Sequence, residues 1–106
     1  MTSLHHDKDL WKKFSWIKKG RQRRIVIQEL ENDEPITGVE LRKKINQKIP
    51  EEPKLSLREI SRHMTTFKDK GLVKCLDEDA VYSRHYILTK KGLVIKEKIR
   101  KYAQKD

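Results

Sequence analysis

The stretch SLREISRHMTTFKDKGLV, residues 56–73, predicts one α-helix over 56–70 that ends sharply at Gly71. Its apolar residues recur every three or four positions, so they gather on one face of the helix. This apolar face consists of Leu57, Ile60, Met64 and Phe67. Ser56 and Glu59 have the capping-box spacing that starts a helix. The opposite face is polar and contains Arg58, Ser61, Arg62, Thr65 and Asp69. Such a face is either a solvated surface or one that fits a DNA groove.

The residues before this helix predict three more helices and a short strand. Apolar spacing indicates a helix over 9–19 and a second, mostly buried helix that follows Gly20 and ends at Asn32–Asp33. Ile36 is placed in a short strand, and Thr37 with Glu40 repeats the capping-box pattern at the start of a third helix. The apolar side of that helix consists of Val39, Leu41, Ile45 and Ile49. Two prolines then predict an extended connection over 49–55.

The residues after the opening stretch predict a hairpin and a closing helix. LVKCL (72–76) and RHYILT (84–89) alternate in the manner of two antiparallel strands. Thr89 is positioned to cap a helix over 90–104, with Val94, Ile95, Ile99 and Tyr102 on one side. Residues 1–7 lack periodicity and are expected to be flexible, which leaves 8–106 as a single domain.

The chain is strongly basic, and its charge is concentrated at its ends. It has 106 residues, of which 40% are charged, and a net charge of +10. Residues 1–24 carry +6 and residues 90–106 carry +5, whereas residues 25–89 carry −1. Solvated end helices alone would explain this distribution, as would ends that contact an anionic partner, and nucleic acid is the first candidate for that partner.

Several classes of protein are disfavoured by the sequence. One cysteine allows no internal disulfide, and no apolar run reaches membrane length, so a cytoplasmic location is expected. No phosphate-binding loop, nucleophile motif or diagnostic carboxylate pair is present, so an enzyme is not expected. The spacing of the histidines predicts no metal site and nothing predicts a cofactor. Cys75 is interpreted as a small core residue and His63 as a half-buried one.

Two capped helices, a hairpin and a closing helix form the layout of a winged helix-turn-helix. The segment 56–73 resembles the recognition helix of the arsenical-resistance (ArsR-like) and multiple-antibiotic-resistance (MarR-like) repressors, in its capping serine, its SRHM tetrapeptide (61–64) and its GLV (71–73). RHYILTKKG (84–92) resembles the second wing strand and its exit. The chain is also similar to small archaeal or archaeal-viral winged-helix regulators. The resemblance implies a mostly helical α+β fold with an extra N-terminal helix.

The resemblance further implies binding of double-stranded DNA, with helix 56–70 in the major groove. Arginine can donate two hydrogen bonds to guanine, and hydroxyls can reach bases or phosphates. The predicted DNA-binding residues are Thr37, Arg42, Lys43, Ser56, Arg58, Ser61, Arg62, Thr65, Lys74 and Arg84. The last two are preferred in the wing because its predicted tip, residues 77–79, is acidic. The cysteine pairs and His/Asp clusters of metal-sensing relatives are absent from the sequence, and no small-molecule effector is indicated.

In the resembled families the terminal helices commonly pair two subunits. The predicted homodimer interface consists of Leu10, Trp11, Phe14, Ile17, Ile95, Ile99 and Tyr102, from helices 9–19 and 90–104. The alternative is that the two helices pack on each other within one chain. The function predicted is that of a sequence-specific, homodimeric transcriptional regulator, most simply a repressor. The rival predictions are a winged-helix protein-interaction module of a transcription or replication assembly, and a protein that coats DNA without sequence preference.

Overall fold

The computed structural model describes residues 8–48 and 54–104. Within these ranges the chain forms five α-helices and three β-strands. The helices are α1 (Lys8–Lys19), α2 (Arg21–Gln28), α3 (Gly38–Lys48), α4 (Leu57–Asp69) and α5 (Lys90–Gln104); the strands are β1 (Ile36–Thr37), β2 (Val73–Cys75) and β3 (His85–Leu88). The flexible terminus predicted for 1–7 lies outside the described residues, and so do residues 49–53 of the predicted connection, which include Ile49.

The three strands form one antiparallel sheet in the order β1–β3–β2. Thr37 pairs with His85 at one side of β3, and Lys74 pairs with Ile87 at the other. The loop 76–84 joins β2 to β3, and this hairpin of two strands and a loop is the wing. The fold is therefore mostly helical α+β with the arrangement of a winged helix, as the sequence predicts.

A single apolar cluster holds the helices and the sheet together. Ile60, Met64 and Phe67 of α4 are at most 1% exposed and belong to the same cluster as buried residues of every other helix. Burial of a side chain of this size contributes about 1.5–3 kcal/mol to folding. Since these residues come from the predicted apolar face, the polar face of α4 is left at the surface.

The terminal helices pack on each other within the chain, and they run in the same direction. Near the N-terminal ends of both helices, Asp9 Oδ2 lies 3.9 Å from Lys91 Nζ. Near their C-terminal ends, Lys18 Nζ lies 5.3 Å from the centroid of the Tyr102 ring. This is the alternative that the sequence leaves open, and five of the predicted interface residues take part in it. The core of the single chain contains Leu10, Phe14, Ile17, Ile95 and Ile99. Trp11 and Tyr102 remain about half exposed.

Helix α2 is shorter than predicted, because the residues after it bind other elements. It ends at Gln28 rather than at Asn32–Asp33. The Leu30 carbonyl accepts a 2.7 Å hydrogen bond from the Lys96 ammonium, and the Glu31 carbonyl accepts one of 2.8 Å from the Leu88 amide. These tertiary partners replace the bonds of another helical turn.

Besides Tyr102, three residues assigned to apolar helix faces are exposed instead. Leu57, Val39 and Val94 keep 37%, 42% and 39% of their surface accessible. Leu57 and Val39 occupy the first turns of their helices, where the adjacent elements do not cover them. Within the described residues, no helix has the length and apolarity needed to cross a membrane.

Candidate nucleic-acid interface

The ends of α4 are fixed by the residues that the sequence analysis singled out. The Glu59 amide donates to Ser56 Oγ at 3.1 Å, and the Ser56 amide donates to Glu59 Oε1 at 3.0 Å, which completes the capping box. At the other end, the Gly71 amide bonds the Lys68 carbonyl and the Leu72 amide bonds the Phe67 carbonyl. Gly71 has φ of 75°, so this pattern is the Schellman end that favours glycine. The polar face of α4 thus has a defined length and orientation.

The polar face presents four predicted DNA-binding residues side by side. Positions 58, 61, 62 and 65 are three or four residues apart, so they share one face of the helix, and all four side chains are exposed. Within the described parts of the chain, the guanidinium groups of Arg58 and Arg62 have no hydrogen bond or ion pair with another side chain. On a purely solvated face these arginines could form ion pairs with Glu59 or Asp69. No such ion pair is present among the described residues. Both arginines keep all their donors available.

The hydroxyl of Thr65 has a restricted role in this surface. It donates a 3.1 Å hydrogen bond to the Ser61 carbonyl one turn earlier. Its hydrogen is therefore used within the helix, and its free lone pairs point outward. As placed, Thr65 acts as an acceptor, which suits the amino group of adenine or cytosine.

A basic concavity lies where α3 meets α4. It has a volume of about 530 Å³ and is lined by Arg42, Lys43, Asn46, Gln47, Lys54, Leu55 and Ser56. Asn46 clamps the chain there: its side-chain amide donates to the Leu55 carbonyl and accepts from the Leu55 amide, both at 3.1 Å. The sequence analysis missed Asn46, because an asparagine inside a helix has no motif that indicates such a clamp. Cations beside a helix N-terminus are suited to a phosphate group.

Thr37 differs from the other predicted contacts, because its side chain is only 8% exposed. Its hydroxyl bonds the Glu40 carboxylate at 2.9 Å and accepts from the Glu40 amide at 3.2 Å. The Thr37 amide also donates to the Glu40 carboxylate, at 3.0 Å. This bond and the one from the hydroxyl lower the pKa of Glu40, and the amide has the larger effect. The structure thus confirms the predicted capping box and uses Thr37 to orient α3, which leaves Thr37 out of the exposed surface.

Two of the three acidic residues of the wing, Asp77 and Glu78, are bound within the protein. Asp77 accepts from the His85 amide at 2.7 Å and pairs with the His85 ring at 2.9 Å. The His85 amide is the main cause of the lowered pKa of Asp77. Glu78 forms an ion pair with Lys68, and this pair joins the wing to α4. The most exposed large apolar side chains of the wing are those of Val81 and Tyr82, at 80% and 85%.

A groove of about 400 Å³ separates the polar face of α4 from the wing. One wall of the groove consists of Leu57, Ser61 and Thr65 of α4, with Gly38 and Val39 from the start of α3. The opposite wall consists of Val81, Ser83 and Arg84 of the wing, and Met64 and Tyr86 complete the lining. Arg84 is held in place by a 2.8 Å bond from its Nε to the Ala80 carbonyl. The other wing cation, Lys74, is exposed on β2 and is not among the groove residues.

Helix α2 supports α4 from behind. His63 Nε2 donates to Gln22 Oε1 at 2.9 Å, and the Gln22 amide donates to Glu59 at 2.9 Å. Burial, followed by the charge of Arg23, lowers the pKa of His63 and so favours the neutral ring. The sequence analysis expected a half-buried His63 but did not identify its partner, because Gln22 is 41 residues away.

Trp16 packs against the C-terminal part of α4, although it lies off the apolar stripe of α1. Its ring meets Phe67 edge-on at 5.9 Å between centroids. The Arg23 guanidinium and the Lys70 ammonium lie 4.4 and 4.6 Å from the centroid of the same ring. These cation–π contacts explain why an aromatic residue stands among basic ones at this position.

Comparison with known proteins relates this architecture to a solved structure. No protein-family model and no curated protein matches the chain. The crystal structure of SSV1 F-93, an archaeal virus protein of winged-helix type, matches it with a TM-score of 0.53 and 25% sequence identity. The match covers 78% of this chain and 90% of that one. The likeness agrees with the archaeal-viral resemblance of the sequence, whereas membership of the ArsR-like and MarR-like repressors stays a prediction.

Proposed function

We propose that this chain is a sequence-specific, double-stranded DNA-binding transcriptional regulator that places α4 in the major groove. One observation carries the proposal: the exposed face of α4 presents two uncommitted arginines and two hydroxyl residues, while its opposite face is buried in the core. The N-terminal residues of a recognition helix contact base edges, and Arg58 and Arg62 are suited to guanine.

The surroundings of α4 supply the phosphate contacts of this proposal. The basic concavity at the α3–α4 junction would lie against one strand of the duplex, with Arg42, Lys43 and Lys54 beside the N-terminus of α4. Arg84 and Lys74 would approach the backbone from the wing. Because each neutralised phosphate releases counterions, the affinity should fall steeply as salt increases.

A homodimer remains part of the proposal, with a smaller interface than the sequence predicts. The surface left for it is the exposed edge of the α1–α5 pair. Trp11 lies against Phe14, with 5.7 Å between ring centroids, and Lys18 lies over both Phe14 and Tyr102. Trp11 and Tyr102 therefore belong to one continuous surface. A two-fold dimer would present two α4 helices to half-sites about one helical turn apart.

The test is selection from a pool of random duplexes at two salt concentrations, followed by sequencing. We expect an enriched, roughly palindromic site. The Arg58→Ala/Arg62→Ala variant should bind that site at least about tenfold more weakly, since a bidentate guanine contact is worth roughly 1–3 kcal/mol. A Lys98→Ala/Lys101→Ala variant loses the same charge from an exposed part of α5 and is the matched control.

Each other result favours a rival function. Retention of all duplexes without enrichment would support a protein that coats DNA. No retention even at low salt would overturn DNA binding and favour the protein-interaction module. The exposure of Val81 and Tyr82 at the wing is the specific observation in favour of that module, because adjacent exposed apolar side chains commonly mark a protein interface.

A further inference from the structure

Two apolar side chains lie at the surface beside the N-terminal end of α4, where the core does not use them. They are Leu57, the first residue of α4, and Val39, the second residue of α3. Gly38 brings the two helix starts together: a methyl group added at Gly38 would lie 3.5 Å from Leu57 Cδ1. Both side chains line the groove between α4 and the wing. They form a small apolar patch, which we call the Leu57–Val39 patch.

The surroundings of the Leu57–Val39 patch are suited to a polyanion. Among the described residues that line the groove there is one cation, Arg84, and no acid. The polar residues of the groove lining that are nearest to Leu57 in sequence are Ser61 and Thr65. Arg58 directly follows Leu57 on the helix. A protein partner with an apolar side chain would fit the patch itself. The charge around it favours nucleic acid, which presents apolar groups among many negative charges.

The major groove of DNA displays one such apolar group, the C5 methyl of thymine. We infer that the Leu57–Val39 patch contacts a thymine methyl and makes the protein prefer thymine at that position. This inference rests on the proposed function. It adds to the recognised DNA site a base that the arginines do not contact. Consecutive helical residues rise about 1.5 Å, whereas base pairs repeat about every 3.4 Å. The thymine therefore lies next to the guanine bound by Arg58, or one step beyond it.

The experiment uses the site obtained by selection and replaces its thymines, one position at a time, with deoxyuridine. Uracil pairs like thymine and lacks only the C5 methyl. The unmodified protein should bind about fourfold more weakly when the contacted methyl is missing, which corresponds to the loss of one buried CH₂-sized group. The effect should be confined to one position in each half-site, beside a guanine.

A double-mutant cycle assigns the effect to the protein. Leu57→Ala should bind the thymine and uracil duplexes equally at that position, while it still requires Arg58 and Arg62 elsewhere in the site. Val94→Ala removes an equally exposed apolar side chain from α5 and should keep the full fourfold preference. Unfolding curves of both variants establish that they are folded, and neither substitution opens the core.

Two results would overturn the inference while leaving the proposed function intact. One is a selected site that tolerates uracil at every position. The other is a Leu57→Ala variant that retains the thymine preference of the unmodified protein. If no duplex is bound at all, the proposed function fails and the thymine contact fails with it.

Discussion

Replacing Gly92 by alanine should destabilise the protein, against the usual effect of this change in a helix. Gly92 lies in the first turn of α5, directly against the chain that leaves α4. A Cβ at this position would lie 2.1 Å from the Leu72 carbonyl oxygen and 2.9 Å from Leu88 Cδ2. The same carbonyl accepts a 3.0 Å hydrogen bond from the Thr89 amide. The backbone of α5 must therefore move away from the wing strands to admit the methyl group.

The size of the effect follows from three contributions. Alanine is favoured over glycine in a helix by about 1 kcal/mol. Overpacking of this kind costs about 1–3 kcal/mol. Displacement of α5 also weakens the bond between Thr89 and Leu72, at about 0.5–1.5 kcal/mol. The net expectation for Gly92→Ala is a loss of roughly 2 kcal/mol in the free energy of unfolding, or about 8–16 °C in Tm for a domain of this size.

Urea unfolding followed by circular dichroism measures this difference, and the protein supplies its own control. Gly38 also lies in the first turn of a helix, but a methyl group there would meet its nearest neighbour, Leu57 Cδ1, at 3.5 Å, an ordinary van der Waals distance. Gly38→Ala should therefore be neutral or stabilising by up to about 1 kcal/mol. If Gly92→Ala were as stable as the unmodified protein, the close approach of α5 to Leu72 would be refuted.

Two further predictions concern charged groups. Lys96→Met should lower the free energy of unfolding by about 1–3 kcal/mol. The nearly buried Lys96 ammonium donates to the Leu30 carbonyl and to Glu31, so its removal leaves the carbonyl unpaired. Urea unfolding measures the loss of stability, and an unchanged unfolding midpoint would contradict the prediction. The lowered pKa of Asp77 means that its ionised form is favoured in the folded state, so its contribution is complete above the ordinary carboxyl pKa and is lost as the pH falls through the folded pKa. The stability difference between the unmodified protein and Asp77→Asn should accordingly shrink below about pH 4, and a difference independent of pH would refute this.

Local sequence signals predicted the framework of the site well, because the physical cause lies within a few residues. Ser56 with Glu59 and Thr37 with Glu40 close their capping boxes three residues apart, and Gly71 ends α4 by its own backbone preference. Helix α4 therefore begins and ends as predicted. The exposure of Arg58 and Ser61 followed from the same periodicity.

Features that depend on distant partners could not be predicted in this way. Helix α2 ends early because Lys96, 66 residues away from Leu30, takes its carbonyl. The periodicity of α4 placed Leu57 in the core, but a helix start protrudes beyond the elements that cover its centre. Whether Phe14 packs within the chain or against a second copy is decided by the position of α5, and periodicity is the same in both cases.

Residues 25–89 carry a net charge of −1, and taken alone this near-neutral charge argues against DNA binding. The positions of the acids in the structure weaken that argument. Six acids of this segment are bound within the protein, namely Glu29, Glu31, Glu40, Glu59, Asp77 and Glu78. Glu40 and Glu59 offset the partial positive charge of helix N-termini, and the other four pair with lysines or His85. On the exposed face of α4, by contrast, the charges of Arg58 and Arg62 are not offset by any described ion pair. A count along the sequence adds these two groups together, although the six acids already have partners within the protein and the two arginines have none among the described side chains.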